Sequence, residues 1–451
     1  MEALVVSRTV RTVCAHDCPD ACSVLVTVEA GQVVHTVGDP AHPFTRGFLC
    51  GKVNRYAERV HSPERVLTPL RRVGAKGEGH FTPITWDEAL EEIVSRWQTI
   101  IARYGSEAIA GYAYSAHQGL VNRNLTQALF HALGATRVNA AAVCDTCCGE
   151  AWELTVGPAG GTDPERVQEA DLIIAWGANL DSTNVHQIPF IDMARDRGAQ
   201  LVVIDVWRTR AARRADWFIP IRVGTDAALA LGMAHVLQRD GLIDQDYVQR
   251  LVLGYERWAH EVLPRYTPAT VEAITGVPAQ EVEALARAYG QARAPFIRLG
   301  QGLSRHTGGG AATRAIVCLS GLVGAWQRPG GGALLATADS YKLNFPALRR
   351  PDRPQLVGLI PGEGRETLQE GSQILGAPDA KGFGASIGRI SSAAPGAVRD
   401  TSIALAMING GIARRGQTVY VADPVRGRAV PFAARVVDPC FYDPEARRLR
   451  T

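Results

Sequence analysis

Four cysteines near the start of the chain have a spacing that suits metal binding. Cys14, Cys18, Cys22 and Cys50 follow the pattern C-x3-C-x3-C-x27-C. Thiolates are soft ligands that hold zinc or iron–sulfur clusters. Three close cysteines with a distant fourth are typical of a cluster, whereas structural zinc more often takes two C-x2-C pairs. The spacing therefore favours an iron–sulfur cluster over zinc and predicts a protein that handles electrons.

A second group of cysteines lies at Cys144, Cys147 and Cys148. One of these thiolates could ligate a metal, two could be redox-active, or all three could be small buried hydrophobic residues. Cys318 lies in an apolar run and is expected in the core, and Cys440 is expected to be structural.

Few other residues stand out as candidates for chemistry. Lys52 comes two residues after Cys50, which would hold a positive charge close to the predicted cluster. Glu150, His186 and His117 are of types that serve in acid–base chemistry, although no spacing singles them out.

The overall composition narrows the class of protein. The chain has 451 residues, 46% of them hydrophobic, which allows about three domains with a large core. A net charge of +3 argues against nucleic acid as the main partner. Nine cysteines give no sign of a disulfide framework, no export signal precedes Cys14, and no apolar run approaches the roughly 18 residues of a membrane span. We therefore expect a soluble, cytoplasmic protein.

Local patterns predict the elements of the N-terminal part. Residues 23–29 and 32–37 are β-prone runs around a short turn, which predicts a hairpin. Residues 82–104 are predicted to be helical, with Thr85 and Glu88 forming a capping box. The apolar stripe of this helix is expected to face the core; it consists of Leu90, Ile93, Val94, Trp97, Ile101 and Tyr104.

The central part alternates strands and helices. Apolar strands are predicted at 172–176, 200–205 and 295–299, with helices at 188–197, 226–237 and 280–289. Buried strands linked by helices predict a parallel, doubly wound sheet. Beyond about residue 335, short strand-like runs predict a small β-rich domain; they lie at 356–360, 402–407, 418–421 and 434–437.

Ligands of doubly wound sheets bind at the carboxyl ends of the strands. Those ends carry Gly177 to Asn179, Asp205, and Gly300 to Gly302. Small residues there would let backbone amides approach a phosphate, and an acidic residue suits ribose hydroxyls or a purine edge. Tight turns with nothing bound are the alternative. The basic run at 208–214 is either a solvated helix end or a phosphate contact.

Together these motifs resemble a known family. Residues 13–22 and 39–52 strongly resemble the molybdopterin oxidoreductases, the bis-molybdopterin-guanine-dinucleotide enzymes related to dimethyl sulfoxide reductase and formate dehydrogenase. The resemblance covers about residues 11–335 and continues through 85–90, 176–179, 204–209, 215–217, 220–229 and 329–332.

The resemblance implies site residues. It implies a 4Fe–4S cluster on Cys14, Cys18, Cys22 and Cys50, with Lys52 on the electron path between the cluster and the pterin. It also implies that the residue at 144 ligates molybdenum or tungsten, so Cys144 is the expected ligand, with Cys147 and Cys148 as the other candidates. The positions that look like contacts to molybdopterin guanine dinucleotide are Gly177, Asn179, Asp205, Thr209, Gly224 and Asp226.

The C-terminal part resembles something else. Residues 353–359, 368–374, 402–406 and 437–445 resemble the C-terminal barrel of the aminomethyltransferase family, which includes the sarcosine oxidase α-subunit. The β-barrel domain that ends molybdopterin oxidoreductases is not found. We therefore expect an α/β fold in three parts: a small iron–sulfur β domain at 1–66, doubly wound molybdopterin domains at 67–335, and a small β-barrel at 336–451.

The predicted function is that of a molybdopterin-dependent oxidoreductase. It would act on a small-molecule substrate by oxygen-atom or hydride transfer and exchange electrons with a partner protein. A non-catalytic iron–sulfur relay is one alternative, and a one-carbon or folate-binding protein is the other.

Overall fold

The computed structural model divides into two compact units, Met1–Tyr341 and Lys342–Thr451. His117, Cys144 and Cys440 lie outside the residues that the structure describes. The described residues are 7–16, 18, 20–112, 125–138, 145–158, 160–336, 353–362, 367–369, 371–380, 385–398, 401–423 and 428–438.

The first unit opens with an antiparallel sheet. Its described strands, in sheet order, are β1 (Ser7–Val13), β2 (Ser23–Glu29) and β3 (Gln32–Gly38). The pairing of β2 with β3 confirms the predicted hairpin. β1 was not predicted, because it is exposed along its whole length and has no buried face for a pattern to report. The short helix α1 (Tyr56–Val60) follows.

The next stretch corrects one expectation. Its described elements are β4 (Leu70–Arg72), β5 (Phe81–Pro83), α2 (Trp86–Tyr104), β6 (Ala110–Tyr112), α3 (Leu125–Ala132) and β7 (Thr136–Val138). The capping box is present, so α2 begins after Thr85 rather than at residue 82. The prediction that its apolar stripe is core is wrong: no residue of α2 is buried, and Leu90 is 54% exposed. Periodicity shows which face is apolar, but burial also requires a surface to pack against it.

A parallel sheet forms the centre of the first unit. Within the described residues its order is β10 (Trp217–Pro220), β9 (Gln200–Asp205), β8 (Leu172–Trp176), β11 (Pro295–Leu299) and β12 (Gly332–Leu334). The chain runs from β8 outward to β10, then returns to place β11 on the other side of β8. This change of direction puts a topological switch point between β8 and β11.

Helices cover both faces of this sheet. Along β8, Leu172, Ile174 and Trp176 pack into one hydrophobic cluster, whereas Ile173 and Ala175 pack into another. Both sets are buried because alternate residues of a strand point to opposite faces. The predicted doubly wound α/β arrangement is confirmed. The described helices of this region are α4 (Thr146–Val156), α5 (Leu180–Thr183), α6 (Ile188–Asp196), α7 (Arg210–Arg214), α8 (Asp226–Arg239), α9 (Gln245–Leu251), α10 (Tyr255–Glu261), α11 (Pro268–Thr275), α12 (Ala279–Gln291) and α13 (Gly309–Leu322).

The second unit is a closed antiparallel barrel, as predicted. Its described strands, in barrel order, are β13 (Pro354–Pro361), β16 (Thr401–Asn409), β15 (Ser386–Val398), β14 (Gln373–Leu375), β17 (Thr418–Asp423) and β18 (Arg428–Val437). Alternate residues such as Ala404, Ala406 and Ile408 fill its core. β14 and β15 were not predicted from the sequence, since β14 is short and β15 is rich in serine, glycine and alanine.

We expect Thr85→Ala to loosen the first turn of α2 by about 1 kcal/mol, because it removes the N-cap oxygen. Thr85 Oγ1 accepts from the Glu88 amide at 3.2 Å, and Glu88 Oε2 accepts from the Thr85 amide at 2.7 Å. Hydrogen exchange of the amides at 86–89 measures the effect. Thr99→Ala, in the middle of the same helix, is the control and should leave these rates unchanged. Equal protection in both variants would contradict the assigned cap.

Candidate metal centre and cofactor site

The four N-terminal cysteines come together around one cavity. Cys14, Cys18 and Cys22 lie in the connection between β1 and β2, and Cys50 lies in the loop before α1. All four line a cavity of about 170 Å³. The Cys14 amide donates to the Cys22 carbonyl at 2.9 Å, which closes the connection on itself. Ala21 adopts a positive φ of 45° immediately before Cys22, a conformation that L-residues rarely take.

Four thiols that line one cavity provide the ligand set that a 4Fe–4S cluster takes. Among the described residues, no three His, Cys, Asp or Glu side chains are grouped to hold a single metal ion.

Burial favours the protonated form of two of these thiols, Cys18 and Cys22. It raises the pKa of Cys18 to about 12 and that of Cys22 to about 11, and the charge of Asp20 adds to both shifts. Ligation requires thiolates, so the positive charge of the metal must drive deprotonation, and binding must release protons.

The four cysteines lie in two segments, residues 14–22 and 48–52, which together are called the cysteine loop. A buried histidine lies against this loop. The His186 ring is 3% exposed. Its Nδ1 is 2.7 Å from Asp20 Oδ2, and its Nε2 is 2.9 Å from the Phe48 carbonyl and 3.6 Å from Cys22 Sγ. The hypothesis that His186 serves in acid–base chemistry does not fit this enclosed position. Glu150, the other described candidate, is exposed on α4.

Lys52 also connects the cysteine loop to the α/β sheet. It lines the same cavity as the four thiols, and its Nζ donates to the Ser182 carbonyl at 3.0 Å. Ser182 lies in α5, which begins three residues after Gly177. The cavity therefore borders the segment that leaves the end of β8.

Glycines shape the two turns at the switch point. Gly177 follows β8 with a φ of 59°, and Gly300 follows β11. A Cβ on Gly300 would overlap the carbonyl oxygen of Gly177, and one on Gly302 would lie 2.9 Å from the same atom. A side chain at 300 or 302 would therefore push these two backbones apart.

Two amide side chains at these turns have buried acceptor atoms that lack hydrogen-bond partners in the described residues. Asn179 Oδ1 and Gln301 Oε1 have no hydrogen-bond partner in the described part of the chain. Such atoms are costly unless something bonds to them. The sequence indicated Asn179 through the family resemblance. For Gln301 the sequence predicted only that the residue lies in a turn, because its lack of a hydrogen-bond partner depends on the three-dimensional structure.

An acidic pair lies at the same edge. Asp226 is buried and accepts from the Trp176 indole at 2.9 Å, and its other oxygen is 3.6 Å from His306 Nε2. Burial raises the pKa of Asp205, and the nearby Asp226 charge raises it further. A Cβ on Gly224 would lie 3.3 Å from the His306 ring. His306 had no signal in the sequence, because only folding brings it to Asp226.

Some residues of the basic run after β9 make contacts within the protein. Thr209 is buried and caps α7 by accepting from the Ala212 amide at 3.1 Å. Arg214 pairs with Asp192 at 2.5 Å and with Asp181 at 3.4 Å. The helix-end interpretation therefore holds for Arg214, and phosphate contact stays a prediction for the rest of the run.

The described cysteines of the second group differ in environment. Cys148 is fully buried in the core, and burial raises its pKa, as expected for a small hydrophobic residue. Cys147 is half-buried. Cys318 is likewise half-buried, on α13, rather than fully in the core. Cys144 lies outside the described residues, two positions before α4 begins.

Comparison with known families agrees with this geometry. The molybdopterin oxidoreductase family model matches residues 65–391. This chain belongs to the molybdopterin oxidoreductase family. The model of the family's Fe4S4 domain matches residues 7–62, and that of the glycine cleavage T-protein C-terminal barrel domain matches 355–443. The first match runs past residue 335, where the resemblance was expected to end, and overlaps the barrel match.

Individual relatives belong to the same group. A probable oxidoreductase of Bacillus subtilis, YoaE, is 40% identical over 76% of this chain and 50% of its own length. Dimethyl sulfoxide reductase DmsA of Escherichia coli is 30% identical over 76% of this chain and 47% of its own. The structure of acetylene hydratase from Pelobacter acetylenicus is 29% identical, with a TM-score of 0.57 over 70% of this chain and 43% of that one. The chain thus spans about half the length of the curated relatives it matches.

The cofactors of this family are a molybdopterin and a 4Fe–4S cluster. The described residues fit both groups: four thiols surround a cavity, and two glycine turns with unpaired buried acceptors lie at the switch point. None of the described helices combines the length and apolar character needed to cross a bilayer.

We expect Gly300→Ala to destabilise the protein by about 1–3 kcal/mol, because the new methyl group overlaps the Gly177 carbonyl. Urea denaturation of the full chain measures the change. Gly149→Ala is the matched control: its Cβ would meet no atom within 4 Å, and alanine favours the α4 helix by about 0.5–1 kcal/mol. A tolerated Gly300→Ala would show that the turn does not need glycine.

Proposed function

We propose that this chain passes electrons between a molybdenum- or tungsten-pterin centre and a 4Fe–4S cluster and oxidises or reduces a small-molecule substrate. The observation that carries the proposal is the shared border of the two sites. The cavity lined by the four thiols also touches α5, which leaves the switch point only three residues after Gly177. Electron transfer between two cofactors requires such closeness.

In this proposal Cys14, Cys18, Cys22 and Cys50 hold the cluster. Lys52 lies on the side of the cavity that faces the sheet, where its hydrogen bond to the Ser182 carbonyl fixes its ammonium group. A fixed positive charge between two anionic cofactors favours an electron in that region. The side chain thus lowers the energy of an electron on either cofactor.

The dinucleotide part of the pterin cofactor would lie along the carboxyl edge of the sheet. Asn179 Oδ1 and Gln301 Oε1 offer acceptors for its donors, while Asp205 and Asp226 suit ribose hydroxyls or a purine edge. Gly177 and Gly224 follow the carboxyl ends of β8 and β10, and the backbone amides of these turns would contact the phosphates. Thr209 already accepts a backbone bond as the cap of α7, so only its hydroxyl hydrogen is free to donate to a phosphate.

We assign Cys144 as the protein ligand of the metal, because it occupies the position at which the family places that ligand. Of the two other candidates, Cys148 is buried in the core. When bound, the pterin metal supplies oxygen-atom or hydride transfer at the substrate, and the protein supplies orientation and relay. An electron-transfer protein would exchange electrons with the cluster.

A non-catalytic iron–sulfur relay is the second candidate, because the Fe4S4 domain has a match of its own at residues 7–62. Iron without molybdenum, tungsten or pterin in the purified protein would support this function over catalysis.

We expect anaerobically purified protein to contain about four irons per chain and Cys50→Ser to lose most of them, because it removes one of four thiolate ligands. Metal analysis by mass spectrometry gives both numbers. Cys318→Ser, a half-buried cysteine outside the site, is the control and should keep its iron. Zinc in place of iron in the unaltered chain would end the proposal.

We expect Cys144→Ser to change the X-ray absorption spectrum of molybdenum or tungsten by replacing a sulfur ligand with oxygen, while iron and pterin contents stay constant. Cys147→Ser is the matched control from the same sequence cluster. If Cys147→Ser alters the metal spectrum and Cys144→Ser does not, the ligand assignment is wrong.

A further inference from the structure

The segment between the first switch-point turn and α6 meets the cysteine loop through a second contact besides Lys52. This segment, residues 180–187, is called the bridge. At its far end the His186 ring is buried among Asp20, Phe48 and Cys22. Nothing in the electron path proposed above uses this ring.

The partners of His186 define where its hydrogens point. Nδ1 faces the Asp20 carboxylate at 2.7 Å, and Nε2 faces the Phe48 carbonyl at 2.9 Å. A carbonyl can only accept a hydrogen bond, so Nε2 carries a hydrogen toward Phe48. The Nε2 hydrogen is also shared with Cys22 Sγ, which lies 3.6 Å away, within reach for a bond to sulfur.

The surroundings hold the ring in this orientation. The Phe48 ring centre lies 4.9 Å from that of His186. On either side of His186 along the bridge, Arg298 Nε donates to Asn184 Oδ1 at 2.9 Å and to Gln187 Oε1 at 3.2 Å. Because Arg298 belongs to β11, the ring is tied to the sheet as well as to the cysteine loop.

We propose that His186 is a positioning residue that sets the reduction potential of the cluster by sharing its Nε2 hydrogen between the Phe48 carbonyl and the Cys22 sulfur. The inference rests on the proposed cluster at the four cysteines. Reduction of a cluster adds one electron from an external donor, such as dithionite, and moves negative charge onto its sulfur ligands. A hydrogen bond to a ligand sulfur stabilises that charge and raises the potential.

Redox titration of the full chain, followed by electron paramagnetic resonance of the reduced cluster, tests the role. For His186→Leu, which has no donor, we expect the one-electron equilibrium to shift at least tenfold toward the oxidised cluster, or about 59 mV to lower potential. His186→Gln retains an N–H donor and should shift less. His235→Gln is the matched control, since His235 is half-buried and bonds to the Leu263 carbonyl at 3.0 Å, within the helical part of the first unit.

Equal potentials in all four proteins, with equal iron contents, would overturn the role of His186 and leave the cluster assignment intact. Loss of iron in both His186 variants, with iron retained in His235→Gln, would also overturn it and indicate a purely structural contact. An unaltered chain without iron would overturn the proposed function itself, and with it this inference.

Discussion

The short bridge between the parallel sheet and the cysteine loop is the constraint on which the rest of the site depends. Within eight residues the chain leaves the switch point, offers a carbonyl to Lys52 and buries His186 against Asp20. His186 Nδ1 lies 2.7 Å from Asp20 Oδ2, and both side chains are buried. This contact ties the segment that leaves the switch point to the cysteine loop.

The sheet explains why the bridge starts where it does. Because β8 is buried on both faces, its side chains are committed to the core, and only the turns at its carboxyl end are free for a ligand. The glycines at 177 and 300 bring two such turns into contact. Asn179 and Gln301 add buried acceptors whose lack of partners costs about 1–3 kcal/mol each. Donors from a bound dinucleotide would remove that cost.

Features with a local cause could be predicted from the sequence. The capping box at Thr85 and the strand at 172–176 each depend on neighbours in the chain, and the structure has both. The cysteine spacing indicated four thiols that line one cavity, and the cluster stays a prediction. Features that depend on distant partners could not. The role of His186 depends on its contact with Asp20, which lies 166 positions earlier in the chain. Gln301 is a candidate only because its Oε1 is buried without a partner in the described residues. The prediction that the apolar stripe of α2 is buried was wrong for the same reason, because the pattern does not indicate which element packs against the helix.

The central claim is that the four N-terminal thiolates hold iron in a cluster beside the pterin-binding sheet. X-ray absorption at the iron edge of the anaerobically purified chain tests it most directly. The account predicts iron surrounded by sulfur alone, with other irons in the next shell. Iron bound by oxygen or nitrogen without a neighbouring iron, or an absorbing metal that is only zinc, would contradict it.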